Sequence, residues 1–154
     1  MRALIITLLC TGMILAFSYP STSGPEDHPD FDAVHAALQD YVDGLYNVDS
    51  TLIERSVHPE MRKRGYWYHE KSGTYRDNLD MTFDQLRSLA ASWNKDGKMA
   101  DTKTIKKIEI YDINDKTASA RLTAAWGLDY FHLAKIDEKW YIMNVLWQSL
   151  PEKK

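Results

Sequence analysis

From Thr117 to Gln148 the chain reads TASARLTAAWGLDYFHLAKIDEKWYIMNVLWQ, and no other stretch restricts the fold as much. Ala118, Ala120, Leu122, Ala124 and Trp126 alternate with Ser119, Arg121 and Thr123, which makes one apolar and one polar face of a strand. Gly127 interrupts, with Asp129 just beyond it, and a second run extends from Tyr130 to Ile136. Asp137-Glu138 with Lys139 is a polar turn, and Trp140 to Trp147 is a third run, dense in aromatic and branched residues. Three runs with such short connections predict an antiparallel meander. Its apolar face has to be covered by the remainder of the chain.

The upstream sequence supplies that cover. Phe31, Val34, Leu38, Tyr41, Val42 and Leu45 recur at helical spacing after Asp30, an N-cap residue, and predict a helix to about Tyr46. Asp49 or Ser50, or a Thr51–Glu54 capping box, opens a shorter helix carrying Leu52, Ile53 and Val57, with Pro59 as its stop. Arg62 to Glu70 reads as a strand, Lys71-Ser72-Gly73 as a turn and Thr74 to Leu79 as its hairpin partner. Thr82 and Gln85 form a capping box ahead of Phe83, Leu86, Leu89, Ala90 and Trp93, a third helix ending near Asn94. Ile105 to Ile113 is the first strand of the main sheet. The order predicts an α+β domain, with a curved antiparallel sheet wrapped around the N-terminal helices as a cone with an open end.

The N-terminus is organised differently. Arg2 precedes an apolar run from Ala3 to Phe17, and Ala16-Phe17-Ser18 is a small-x-small site, so residues 1–18 are expected to be a signal peptide. Residues 19–29, with Pro20, Gly24, Pro25 and Pro29, read as a flexible linker, and 30–150 as one domain. The expected location is therefore secreted or periplasmic, with no membrane association after cleavage. Cys10 is the sole cysteine of the 154 residues and lies inside the apolar run, behind Leu9 rather than the small residue a lipidation site needs. Export without disulfides leaves the fold to its core. A net charge of -3 gives no basic signature, so nucleic acid is not an expected partner.

The element order, together with DYFHLAKIDEKWYIMNVLW from Asp129 to Trp147, resembles the nuclear transport factor 2-like (NTF2-like, SnoaL-like) superfamily. Within it the chain is most similar to the lumazine-binding branch, whose ending has the form D-Y-x-x-L-x-K-x-D-G-K-W-x-I-x-N. Glu138 stands where that pattern has a turn glycine, and LIERSVHPEM from Leu52 to Met61 matches the branch at H-P. The resemblance implies the cone fold and a pocket. The superfamily includes ketosteroid isomerases, dehydratases and polyketide cyclases beside proteins without a reaction, so the resemblance implies no single activity.

The candidate chemistry lies in carboxylate, histidine and ring side chains. Asp129 beside apolar Phe131 and Leu133 could act as an acid or base; alternatively it caps the turn after Gly127 or pairs with Arg121. His58, matched to the branch's H-P, is the other expected catalytic residue, placed near the pocket mouth. Tyr41 on the first helix, Tyr66 and Trp67 in the hairpin, and Tyr130 and His132 in the meander are the expected ligand-binding residues. His132 shares its parity with Tyr130 and opposes Asp129. The run Arg62-Lys63-Arg64 reads as a solvated strand edge. The five histidines show no ligand spacing and Gly65, Gly73, Gly97 and Gly127 are isolated, so neither metal nor cofactor is expected. The expected role is binding of a small hydrophobic or aromatic molecule in the cone, by a homodimer formed through the open sheet. The alternatives are a cofactor-free isomerase, dehydratase or cyclase using His58 and Asp129, or a non-catalytic homodimeric interaction module.

Overall fold

The computed structural model describes residues 24–77 and 79–151, so the expected signal peptide and the start of the linker lie outside the described residues. After a single 3-10 turn at Pro25–Asp27 come α1 (Phe31–Tyr46), α2 (Ser50–Ser56), β1 (Val57–His69), β2 (Thr74–Arg76), α3 (Phe83–Ala90), β3 (Lys107–Ile113), β4 (Thr117–Ala124), β5 (Gly127–Ile136) and β6 (Lys139–Gln148). The strands form one sheet in the order β2-β1-β6-β5-β4-β3. The α+β fold is as expected, with a curved, unclosed sheet and helices on one face.

Several expectations are corrected. The sheet is mixed, not antiparallel, because β1 runs parallel to β6 with Arg62 opposite Asn144 and Gly65 opposite Trp147. A parallel partner needs a long crossover, and everything from β2 to β5 supplies it. The second helix stops at Ser56 rather than at Pro59, and the chain passes straight into β1, so His58 and Pro59 belong to a strand. Asp49 caps that helix, its carboxylate accepting from the Thr51 amide at 3.0 Å. Thr82 and Gln85 form the reciprocal capping box of α3. Asp30 sits at the N-cap position of α1 without capping it; its carboxylate instead meets the Lys135 ammonium at 3.1 Å.

The core lies between α1 and the inward row of each strand. Val34, Leu38, Tyr41, Val42, Ile53, Met61, Leu122 and Ile142 are all fully buried, and each such side chain contributes about 1.5–3 kcal/mol of apolar burial. Asn94 fixes the loop after α3: its Nδ2 donates to the Tyr46 and Ala100 carbonyls, and its Oδ1 accepts from the Met99 and Ala100 amides. Tyr46 in turn donates to the Ile105 carbonyl at 2.6 Å and accepts from the Ala125 amide at 2.8 Å, tying α1 to the β4–β5 turn.

Candidate functional site

The first polar centre is at the heart of the cone. Alternation along β1 turns Met61, Lys63 and Gly65 inward, and alternation along β5 does the same for Asp129, Phe131 and Leu133. Lys63 Nζ donates to Tyr41 Oη at 2.5 Å and lies 3.6 Å from Asp129 Oδ2, with the lysine side chain 6% exposed and the aspartate 0%. The ammonium also lies over the rings of Tyr41 and Trp147, at 5.3 and 5.5 Å. Among the described residues, neither carboxylate oxygen of Asp129 has a hydrogen-bond partner, and neither has the Trp147 indole N–H. Trp147 reaches this position because Gly65 has no side chain; a Cβ there would lie 1.9 Å from the indole nitrogen.

Burial pushes the Lys63 amine below the ordinary lysine value, and the Asp129 charge pulls it partly back. Burial, reinforced by the same charge, pushes the Tyr41 phenol well above the ordinary tyrosine value. Asp129 is therefore neither a turn cap nor a partner of Arg121, whose guanidinium is held by Glu109. The rings of this region pack on one another: Tyr41 stands edge-on to Phe131 at 5.0 Å, and Trp126 meets Tyr46 and Trp93 at 5.8 and 5.2 Å.

His58 is elsewhere. It is half-buried at the start of β1, its Nδ1 accepts from the Glu60 amide, and its ring stands edge-on to Tyr141 at 5.7 Å. Tyr141 alternates with the buried Trp140 and Ile142 and so faces away from the core. Val57 pairs with Ile142, whereas Asp129 pairs with Trp147. Five residues along β6 place the two about 16 Å apart. The structure brings Asp129 together with Tyr41 and Lys63, and does not bring it to His58.

The second centre is on the open face of the sheet. Register places Arg62 beside Asn144 and Asn144 beside His132, a row across β1, β6 and β5. One step along, Arg64 is beside Leu146 and Leu146 beside Tyr130. These six residues, walled at the edge by Asp80, Thr82 and Gln85, line a groove of about 1060 Å³. Arg64 is clamped by Asp80 at 2.7 and 3.2 Å, and its guanidinium holds the Asp80 carboxyl below the usual carboxylate range.

Tyr130 and His132 thus meet in the groove. Tyr41 lies inside the cone. Tyr66 shares the open face one row further, opposite Gln148, and Trp67 sits on the projecting hairpin with Arg76 over its ring at 5.7 Å. Sequence reasoning missed Lys63, Arg62, Asn144 and Leu146. The available signal was the alternation Met61, Lys63, Gly65, which marks the middle residue of the basic run as inward. Among the described residues no group of three or more His, Cys, Asp or Glu side chains could hold a metal ion.

The fold is shared with solved structures of NTF2-like proteins. One from Shewanella baltica, of unknown function, has a TM-score of 0.60 at 19% identity, covering 80% of this chain and 95% of that one. One from Methylobacillus flagellatus, also of unknown function, gives 0.59 at 22%, covering 79% and 93%. A ketosteroid isomerase-like protein from Erwinia carotovora atroseptica gives 0.53 at 14%, covering 80% and 98%. At these identities the likeness shows the fold. No curated protein sequence matches the chain. Residues 29–148 match the family described as "Putative lumazine-binding", and the chain belongs to that family.

Proposed function

We propose that the protein is an exported, non-catalytic binding domain for a small, flat, hydrophobic or aromatic molecule, and that the molecule sits in the open-face groove. One observation carries this reading: the groove of about 1060 Å³ presents Tyr130, 43% exposed, and Leu146, 50% exposed, beside the side chains of Arg62, Asn144 and His132, whereas the centre of the cone is filled by Tyr41, Phe131 and their neighbours. A concave site with apolar walls and a few polar groups suits such a ligand. The family description makes lumazine a reasonable first probe. Export rests on the leader-like sequence, and N-terminal sequencing of the exported product should begin just after Ser18.

The test is a panel of lumazine, naphthalene derivatives and steroids, titrated calorimetrically and by NMR. Binding should shift side-chain signals of His132 and Asn144, and Tyr130→Ala should weaken it about tenfold, the range expected for loss of a ring contact. Silence across the panel overturns the reading.

A second reading has its own support. Asp129, ion-paired with Lys63 at 3.6 Å and beside Tyr41, has two buried carboxylate oxygens without hydrogen bonds among the described residues, and buried polar groups left unsatisfied concentrate at sites of chemistry. Proton transfer to and from a carbonyl compound would follow, with Asp129 as the base. His58, about 16 Å away along the sheet, has no part in this reading. Deuterium exchange into cyclic ketones, abolished in Asp129→Asn, is the expected result; no exchange with the wild type removes the reading. A homodimer through the open face would use Tyr66, Tyr130 and Leu146, and sedimentation equilibrium with Leu146→Glu tests it: a dimer that persists in the variant excludes this interface.

A further inference from the structure

We propose that the groove binds its ligand through an acidic group, held by Arg62 and Asn144 beside His132, with the ligand's ring lying on Leu146 and Tyr130. The proposal rests on reading the groove as a site for flat molecules and adds the chemical class.

Three arginines lie on this part of the face, and two are already engaged. Arg64 is bound by Asp80, and Arg121 by Glu109 at 3.1 Å through Nε. The Arg62 guanidinium makes no hydrogen bond or ion pair among the described residues. Asp80 feels its charge, yet both Asp80 oxygens are already taken by Arg64. The neighbouring Asn144 amide and His132 ring are exposed and likewise make no side-chain hydrogen bond among the described residues. Among the described residues, a cation without a partner and two further hydrogen-bonding groups therefore sit side by side on three adjacent strands, about 5 Å apart.

Asp80, the one acid among the described residues that line the groove, is paired with Arg64, so the row favours an incoming anion. A guanidinium with an adjacent amide donor matches the planar fork of a carboxylate. The next row, about 7 Å further along the strands, is apolar at Leu146 and Tyr130. That distance is the span from a carboxylate to the far edge of an attached ring. The class is thus an aromatic carboxylate, or a heterocycle that ionises to an equivalent anion.

The experiment compares 1-naphthoate with 1-naphthamide, which share ring and shape and differ in charge. Calorimetry on the wild type should give naphthoate at least tenfold tighter binding, the value of one charge-assisted hydrogen bond. Arg62→Gln should remove that difference, leaving the two compounds alike, and Asn144→Leu should weaken naphthoate several-fold with a smaller effect on the amide. Arg62 and Asn144 are exposed, so both variants should melt with the wild type. Equal binding of acid and amide, or full naphthoate affinity in Arg62→Gln, overturns the acid clamp while leaving the aromatic site in place. No binding by either compound, together with silence from the wider panel, overturns both.

Discussion

Replacing Asp129 by Asn tests whether the cone's centre is held as an ion pair. The substitution is isosteric, so packing around Phe131 and Trp147 is retained, and what changes is the countercharge 3.6 Å from a lysine side chain that is 6% exposed. Removing one member of a buried pair leaves the other uncompensated and costs about 3–5 kcal/mol. For a domain of this size each kcal/mol moves the midpoint by about 3 °C, so Tm should fall by roughly 9–15 °C. Lys63→Met should cost a similar amount by stranding Asp129. The double variant Lys63→Met, Asp129→Leu should recover most of the loss, because paired removal discards two desolvation penalties together.

The pH dependence separates charge from packing. Lys63 titrates lower in the folded protein than in the unfolded chain, so between the two values the unfolded state binds more protons and stability rises with pH. Its contribution is lost as pH falls through the folded value and is complete only above about 10.4, the unfolded lysine value. Tyr41 acts in the opposite sense: its folded value is raised, so above about pH 10 the unfolded chain ionises first and stability falls. Below pH 10 the lysine effect therefore stands alone. Asp129→Asn removes the charge that pulls Lys63 upward, so the variant's deficit should shrink as pH rises from 7 to 9.5. Thermal melts followed by circular dichroism across that range measure it. A midpoint loss under about 3 °C, or one that stays constant with pH, refutes the account.

Gly65→Ala should destabilise by about 2–3 kcal/mol and alter tryptophan emission, since the new methyl would lie 1.9 Å from the Trp147 indole nitrogen; an unchanged spectrum and melt would contradict the packing described. Glu138→Gly should raise stability by about 0.5–1 kcal/mol, because Asp137 and Glu138 hold φ of 47° and 60° in a two-residue turn where glycine is unstrained. The exposed pairs of Glu138 with Lys116 and Lys135 offset only part of that gain. Thr82→Ala should cost about 1 kcal/mol in urea unfolding through loss of the α3 capping box.

The alternation in Ala118–Ala124, the capping box at Thr82 and the helical spacing of Phe31–Leu45 were legible because each is a local rule with one answer. The parallel pairing of β1 with β6 was not: nothing in a strand's own pattern names its neighbour. Asp129 was read as turn-proximal because Gly127 looked like the end of a turn. In the structure Gly127, at φ 132°, already belongs to the ladder, and a Cβ there would meet the Gln148 carbonyl at 2.1 Å. The strand therefore starts two residues before Asp129, and the aspartate inherits the inward parity of Phe131. Lys63 was hidden by its neighbours, since a basic triplet looks solvated until its middle member is assigned to a face.

The emergence of Asn144 and Leu146 in the groove depends on one irregularity between β5 and β6. Unbroken alternation from Trp140 and Ile142 would turn Asn144 and Leu146 into the core and set Val145 and Trp147 on the surface. The register shifts between His132 and Leu133, where His132 faces Asn144 and Leu133 faces Ile142, leaving Met143 as the extra residue. That bulge exchanges the faces of everything after it. Val145 becomes buried, Trp147 swings over Gly65 and Lys63, and Asn144 and Leu146 emerge beside Arg62 and Tyr130. One extra residue thus closes the ion-pair centre on one side of the sheet and opens the groove on the other. Removing it, by deleting Met143, would exchange both sets of side chains at once, because a one-residue slip moves a strand's whole hydrophobic face.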